Sequence, residues 1–199
     1  MLCLAALANA QDDNRGRVQL GFKAGINNSN IYDTHGQDIA ANALWGPVIG
    51  GWLSLPVGDY LGLQPEVLYS EKGFSGTGTA PEGQYSFTDR LDFLDIPVLV
   101  QFKPVPCLYL LGGPEYSYLL SRTYTFMNGV TSTTTQQAFD NDNLRHNVFG
   151  LIFGFDINLN HITLGARVAW DLQDNNGNGT SSLPRYRNIW GQVTLGFRL

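Results

Sequence analysis

The chain has 199 residues, enough for one sizeable domain. Charged residues make up 15%, against the roughly 25% usual in soluble domains, while aromatics reach 12% and glycine 23 residues. No run approaches the roughly 18 consecutive apolar residues of a spanning helix, and a net charge of −5 leaves no basic footprint for nucleic acid.

Residues 1–10, MLCLAALANA, read as the remainder of a secretory signal peptide: an apolar run, then Ala8-Asn9-Ala10 as a small-x-small cleavage site before Gln11. The domain then spans 11–199. Cys3 leaves with the signal and Cys107 stands alone, which excludes an internal disulfide or a cysteine metal cluster.

Along the first strand Val18, Leu20, Phe22, Ala24 and Ile26 share one face, and Arg17, Gln19, Gly21, Lys23, Gly25 and Asn27 the other. That is period two, the signature of a strand with two unlike faces. Further candidates run over about 43–55, 60–72, 88–102, 108–122 and 145–158. Next, Ile162, Leu164, Ala166, Val168, Trp170 and Leu172 oppose Thr163, Gly165, Arg167, Ala169 and Asp171. In the last stretch Ile189, Val193, Leu195, Phe197 and Leu199 oppose Asn188, Trp190, Gln192, Thr194 and Arg198. The links alternate between short ones (56–59, 104–107, 158–160) and long polar ones (31–42, 73–87, 123–144, 173–186). About eight antiparallel strands, each near the 9–11 residues that cross a bilayer at a tilt, imply an all-β, up-and-down transmembrane β-barrel with both termini in the periplasm.

Alternation alone also fits a soluble, lipocalin-like ligand-binding barrel, whose apolar face turns inward. The polar face argues for the membrane reading: it carries Gly, Asn, Gln, Thr and Ser with isolated charges, which suits a cramped lumen. Those charges have both signs, Lys23, Arg167 and Arg198 against Glu66, Asp95, Glu115, Asp156 and Asp171. A charge inside a narrow barrel needs a partner, so ion pairs are expected, Lys23 with Glu66 and Arg167 with Glu115, plugging the bore against general diffusion. Trp45, Tyr60, Phe74, Phe102, Tyr124 and Trp170 fall near strand ends, as expected of aromatics at the membrane interface. Pro47, Pro65, Pro97 and Pro114 fall inside strands, where bulges are expected to accommodate them.

The segments LGFKAGINNSNI, LGLQPEVLYSEKGF, LDFLDIPVLVQFK, LYLLGGPEYSYLLS, FGLIFGFDI and ITLGARVAWDL, in this order, resemble the outer-membrane β-barrel family of Bacteroidota that includes PorT-like proteins, also labelled porin family or outer membrane protein beta-barrel domain. The resemblance covers the whole mature chain. It implies an eight-stranded barrel in the bacterial outer membrane, inserted by the barrel-assembly machinery; a monomer with outer-membrane lipids and lipopolysaccharide as neighbours is expected. It also implies a C-terminal insertion signal, for which this chain offers Phe197 and Leu199. A role in type IX secretion, associated with PorT itself, is not implied for the broad family.

Two kinds of chemistry remain to be weighed. Some small outer-membrane barrels modify lipid A with Ser, His and a carboxylate at the rim; here His35, His146, His161, Ser70, Ser75 and Ser121 are the candidates, without a nucleophile motif. Arg145 and His146 together could contact lipopolysaccharide phosphates. Asp174, Asn176, Asn178 and Gly179 match the first half of a calcium loop, but Arg185 stands where a bidentate Glu is needed. No catalytic, cofactor or metal residues are therefore assigned. The expected function is a structural or binding role through the outer loops.

Overall fold

The computed structural model describes residues 15–32, 41–80, 83–128, 131–138, 144–176 and 186–199. The expected signal peptide, His35, and Asn178, Gly179 and Arg185 of the calcium-like loop lie outside them. Nine strands form: β1 (Gln19–Tyr32), β2 (Ala41–Pro56), β3 (Leu61–Ala80), β4 (Gly83–Val105), β5 (Leu108–Asn128), β6 (Thr131–Ala138), β7 (Asn147–Leu159), β8 (Ile162–Asp171) and β9 (Arg187–Arg198). All neighbours are antiparallel, and β1 pairs with β9 from Gly21↔Arg198 to Tyr32↔Arg187, which closes a ring of eight strands. The ninth, β6, pairs along β5 and stands outside the ring.

The two faces of each strand separate as the period-two pattern requires. In β1, Leu20, Phe22 and Ile26 are exposed while Gln19, Lys23 and Asn27 are buried. In β9, Val193 is 60% exposed and Leu195 58%, against 3% for Gln192. The apolar rows thus point away from the axis, the reverse of a lipocalin-type arrangement, and that alternative is ruled out. The bore is not wholly polar, however. Leu99, Leu111, Ile152, Ala169 and Trp190 form one buried apolar cluster, and Leu91, Phe93, Leu119 and Leu144 a second.

The expected bulging is seen at Pro47 alone among the four prolines, and a second rule covers them all. Alternate residues of an antiparallel strand direct both N–H and C=O to opposite neighbours, so a proline costs pairing on one side only. Pro47 keeps its partner Ile26 on β1, and the ladder to β3 breaks between Ala43 and Val48. Pro65 pairs with Val98 while the β2 side is skipped between Trp52 and Leu55; Pro97 pairs with Glu115 while the β3 side is skipped between Pro65 and Leu68. Pro114 pairs with Leu151, and the β4 side is skipped between Pro97 and Val100. A register shift accompanies only Pro47 among these sites; at the other three the register resumes unchanged.

Strands also cross closely at glycine. A Cβ on Gly25 would stand 2.0 Å from the Val193 carbonyl oxygen, and one on Gly50 2.0 Å from that of Val67. Because the obstacle is backbone, Gly25→Ala is expected to destabilise the barrel by about 1–3 kcal/mol, read from the midpoint of denaturant unfolding in detergent.

Sequence and structure differ most in the segments 73–87 and 123–144. Both were expected as loops, yet β3 and β4 run together to the Ala80↔Gly83 pair, and β5 and β6 to Asn128↔Thr131. The glycines and serines suggest turns, but Thr77, Tyr85, Phe87, Thr125 and Phe126 are β-branched or aromatic and favour extended chain. The result is a four-stranded sheet, β3-β4-β5-β6, that continues beyond the ring, β3 running past its last β2 partner at Gly76 to the Ala80↔Gly83 pair.

Candidate functional site

Two ionic clusters cross the bore. In the first, Lys23 Nζ lies 2.6 Å from Glu66 Oε2, and Arg167 Nη1 reaches the same oxygen at 2.8 Å. Arg167 also holds Asp156 at 3.3 Å. The other Glu66 oxygen accepts from Gln64 Nε2 at 2.6 Å; Gln101 donates to Gln64, and Ser54 donates to Gln101 at 2.7 Å. Glu66 is therefore the hub of a polar chain across the bore.

The second cluster centres on Lys72. Its ammonium lies 2.9 Å from Asp95 and 3.1 Å from Glu115, with Ser117 donating to Asp95 at 2.6 Å. It also stands 3.6 Å from the Trp190 ring centre and 5.0 Å from that of Phe93, joining both apolar clusters through cation–π contact. Asp171 accepts from the Asn188 side chain at 2.6 Å, and Arg198 donates to Gln19 at 3.1 Å.

The expected partnership of Arg167 with Glu115 does not form. Glu115 aligns across Gly150 with Asp171, whereas Arg167 aligns across Gly154 with Leu111, four residues lower on each strand. Alternation assigns a residue to a face, but only register assigns its height. Lys72 went unrecognised as the partner of Glu115, although it continues the every-second-residue series Gln64, Glu66, Leu68, Ser70.

The aromatics divide. Trp45, Tyr60 and Phe102 are exposed on the outer face, and Trp170 stacks on Phe153 there, 5.7 Å between ring centres. Phe74 is instead buried on the inner side, packed edge-on against Phe87 and Tyr186. Tyr124 lies higher, on the inner face of the projecting sheet, stacked with Phe87 at 6.3 Å. With Tyr85 and Phe126, stacked at 5.7 Å, these rings make an aromatic ladder inside the sheet. At its foot Arg122 grips Asp89 with two bonds, 2.8 and 2.7 Å. Burial lifts the Asp89 carboxyl above the usual carboxylate range, and Arg122 offsets this only in part. Burial also opposes the Arg122 charge, yet Asp89 holds that guanidinium above its ordinary value.

On the outer face of β3 to β5, polar contacts end the apolar rows: Arg90 with Glu71, Tyr69 with Asp92 at 2.9 Å, and Ser121 with Asp92 at 2.5 Å. These contacts also account for one of the enzyme candidates. Ser121 donates to a carboxylate and Ser70 accepts from Asn27 at 2.7 Å inside the bore, while His146 packs edge-on to Tyr118 and His161 stacks on Phe197 at the other end. No Ser–His hydrogen bond forms among the described residues. Asp174 is engaged by Arg187 at 2.8 Å, and Arg145 donates to the Asp174 carbonyl at 3.1 Å.

Comparison with Neisserial surface protein A agrees with this architecture. Neisserial surface protein A is similar in structure, with a TM-score of 0.54 at 8% identity, over 90% of this chain and 97% of that one. Ail, the attachment invasion locus protein of Yersinia pestis, gives 0.49 at 11% identity, over 91% and 98%. No curated protein is a recognisable sequence relative. The model of the outer membrane protein beta-barrel domain matches residues 9–176, and the chain belongs to that family of bacterial outer-membrane barrels.

Proposed function

We propose that the protein is a closed, non-enzymatic outer-membrane barrel that displays the β3–β6 sheet outside the cell as a binding element. Its termini lie in the periplasm, lipopolysaccharide surrounds its outer half, and the barrel-assembly machinery inserts it as a monomer. The Q-P-E, D-I-P and G-G-P motifs support a place among the PorT-like barrels of Bacteroidota. The observation that carries the reading is the contrast between the bore, crossed by Glu66 and Lys72 with their partners, and the sheet rising above it. A scaffold so rigidly filled is suited to holding a surface in place rather than to passing solutes. Proteoliposomes containing the protein should show no swelling in small sugars above the protein-free rate; swelling at the rate of a general porin would refute the closed bore.

A further inference from the structure

Above the rim contacts, the outer face of the projecting sheet changes character. The pairings Asn42↔Ser75, Ser75↔Thr88, Thr88↔Thr125 and Thr125↔Thr134 place five neutral hydrogen-bonding side chains in one row across β2 to β6. Two residues higher, Thr77, Ser86, Met127 and Ser132 form a second row. Neither row contains a charged residue. Neighbouring side chains stand about 4.8 Å apart across the strands, with about 7 Å between the rows.

On β2 to β5 this surface continues, on the same face, the apolar belt that meets lipid, and β6 widens it at the edge. Leu94 and Ile96 of β4 lead upward to Asp92 and Arg90, and then to Thr88 and Ser86. What lies against the belt is acyl chain. What lies against the same face above the rim is therefore the part of the same molecules that follows the headgroup, which in an outer leaflet of glycolipid is saccharide. An array of uncharged side chains, all but Met127 donors and acceptors, matches that partner: sugar hydroxyls need hydrogen bonds, and the absence of charge avoids stranding an ion against neutral rings.

We infer that the outer Ser/Thr face of the β3–β6 sheet binds the core saccharide of the surrounding lipopolysaccharide, which fastens the sheet upright on the membrane. The inference rests on the outward orientation proposed above. Thr88, Thr125 and Thr134 are the central contacts, each able to donate and accept.

The test uses the full-length protein in phosphatidylethanolamine vesicles that are undoped, doped with core-bearing lipopolysaccharide, or doped with lipid A lacking core sugars. Core-bearing lipopolysaccharide should slow amide exchange in 84–90 and 121–128 on the order of fivefold, the equivalent of one net hydrogen bond. The triple variant Thr88→Val, Thr125→Val, Thr134→Val keeps β-branched shapes and should lose that protection while retaining the folded electrophoretic mobility of the barrel. Equal protection by lipid A without core sugars, or protection retained in the triple variant, would overturn the inference. Orientation is read separately. A Ser132→Lys variant should react with a membrane-impermeant amine reagent on intact cells through peptide 131–138; absence of that label sinks the orientation, whereas labelling without saccharide protection sinks only the sugar contact.

Discussion

Glu66→Gln is expected to destabilise the barrel by about 3–5 kcal/mol, the usual cost of leaving buried charge uncompensated. Glu66 receives Lys23 and Arg167 on one oxygen and Gln64 on the other, with no solvent on its side chain. An amide keeps the shape but removes the one carboxylate bonded to Lys23 among the described residues, and of the two carboxylates on Arg167 it leaves Asp156. The midpoint of unfolding in guanidinium, followed by tryptophan fluorescence in detergent, measures the loss. Adding Lys23→Met should recover part of it, because the stranded ammonium is then gone. A double variant whose loss equals the sum of the two singles would show that the residues act independently.

Lys72→Met should have an effect of similar size, about 3–5 kcal/mol. Methionine retains packing against Trp190 and Phe93, so the change isolates the charge. Asp95 and Glu115 are then confined together without their shared cation. Replacing Glu115 by Gln in the same protein removes one of the two carboxylates and should restore part of the stability. No restoration would mean that Lys72 contributes mainly through its aromatic contacts. The interior of this barrel is organised around two buried hubs, Glu66 and Lys72.

The wall of the barrel was legible in the sequence because it depends on alternation alone. Val18 to Ile26 and Ile162 to Leu172 announce their faces without reference to any other strand. The contents of the bore depend also on height, which register sets, and so alternation alone points Arg167 to Glu115 whereas register gives it Glu66 and Asp156. The projecting sheet was hidden for a different reason. Gly73, Gly76 and Gly78 resemble loop residues, yet in β3 they sit in paired positions, and Tyr85 packs over Gly78, where a Cβ would meet its ring at 2.4 Å. An aromatic across from a glycine fills the missing side chain, and single-residue propensities do not register such a pair. Strand β6 is a run of Thr, Ser and Gln without an apolar face, so it carries no alternation to detect.

In this barrel the apolar outer rows face lipid, while the ionic clusters and two buried apolar clusters fill the axis. The four tryptophans of the chain report on this arrangement directly. Single-tryptophan proteins retaining either Trp170, on the outer face, or Trp190, 2% exposed inside the bore, can be placed in bilayers whose acyl chains carry bromine, a quencher that acts at contact. Fluorescence from Trp170 should fall sharply while that from Trp190 is preserved; strong quenching of Trp190 with Trp170 spared would contradict the account.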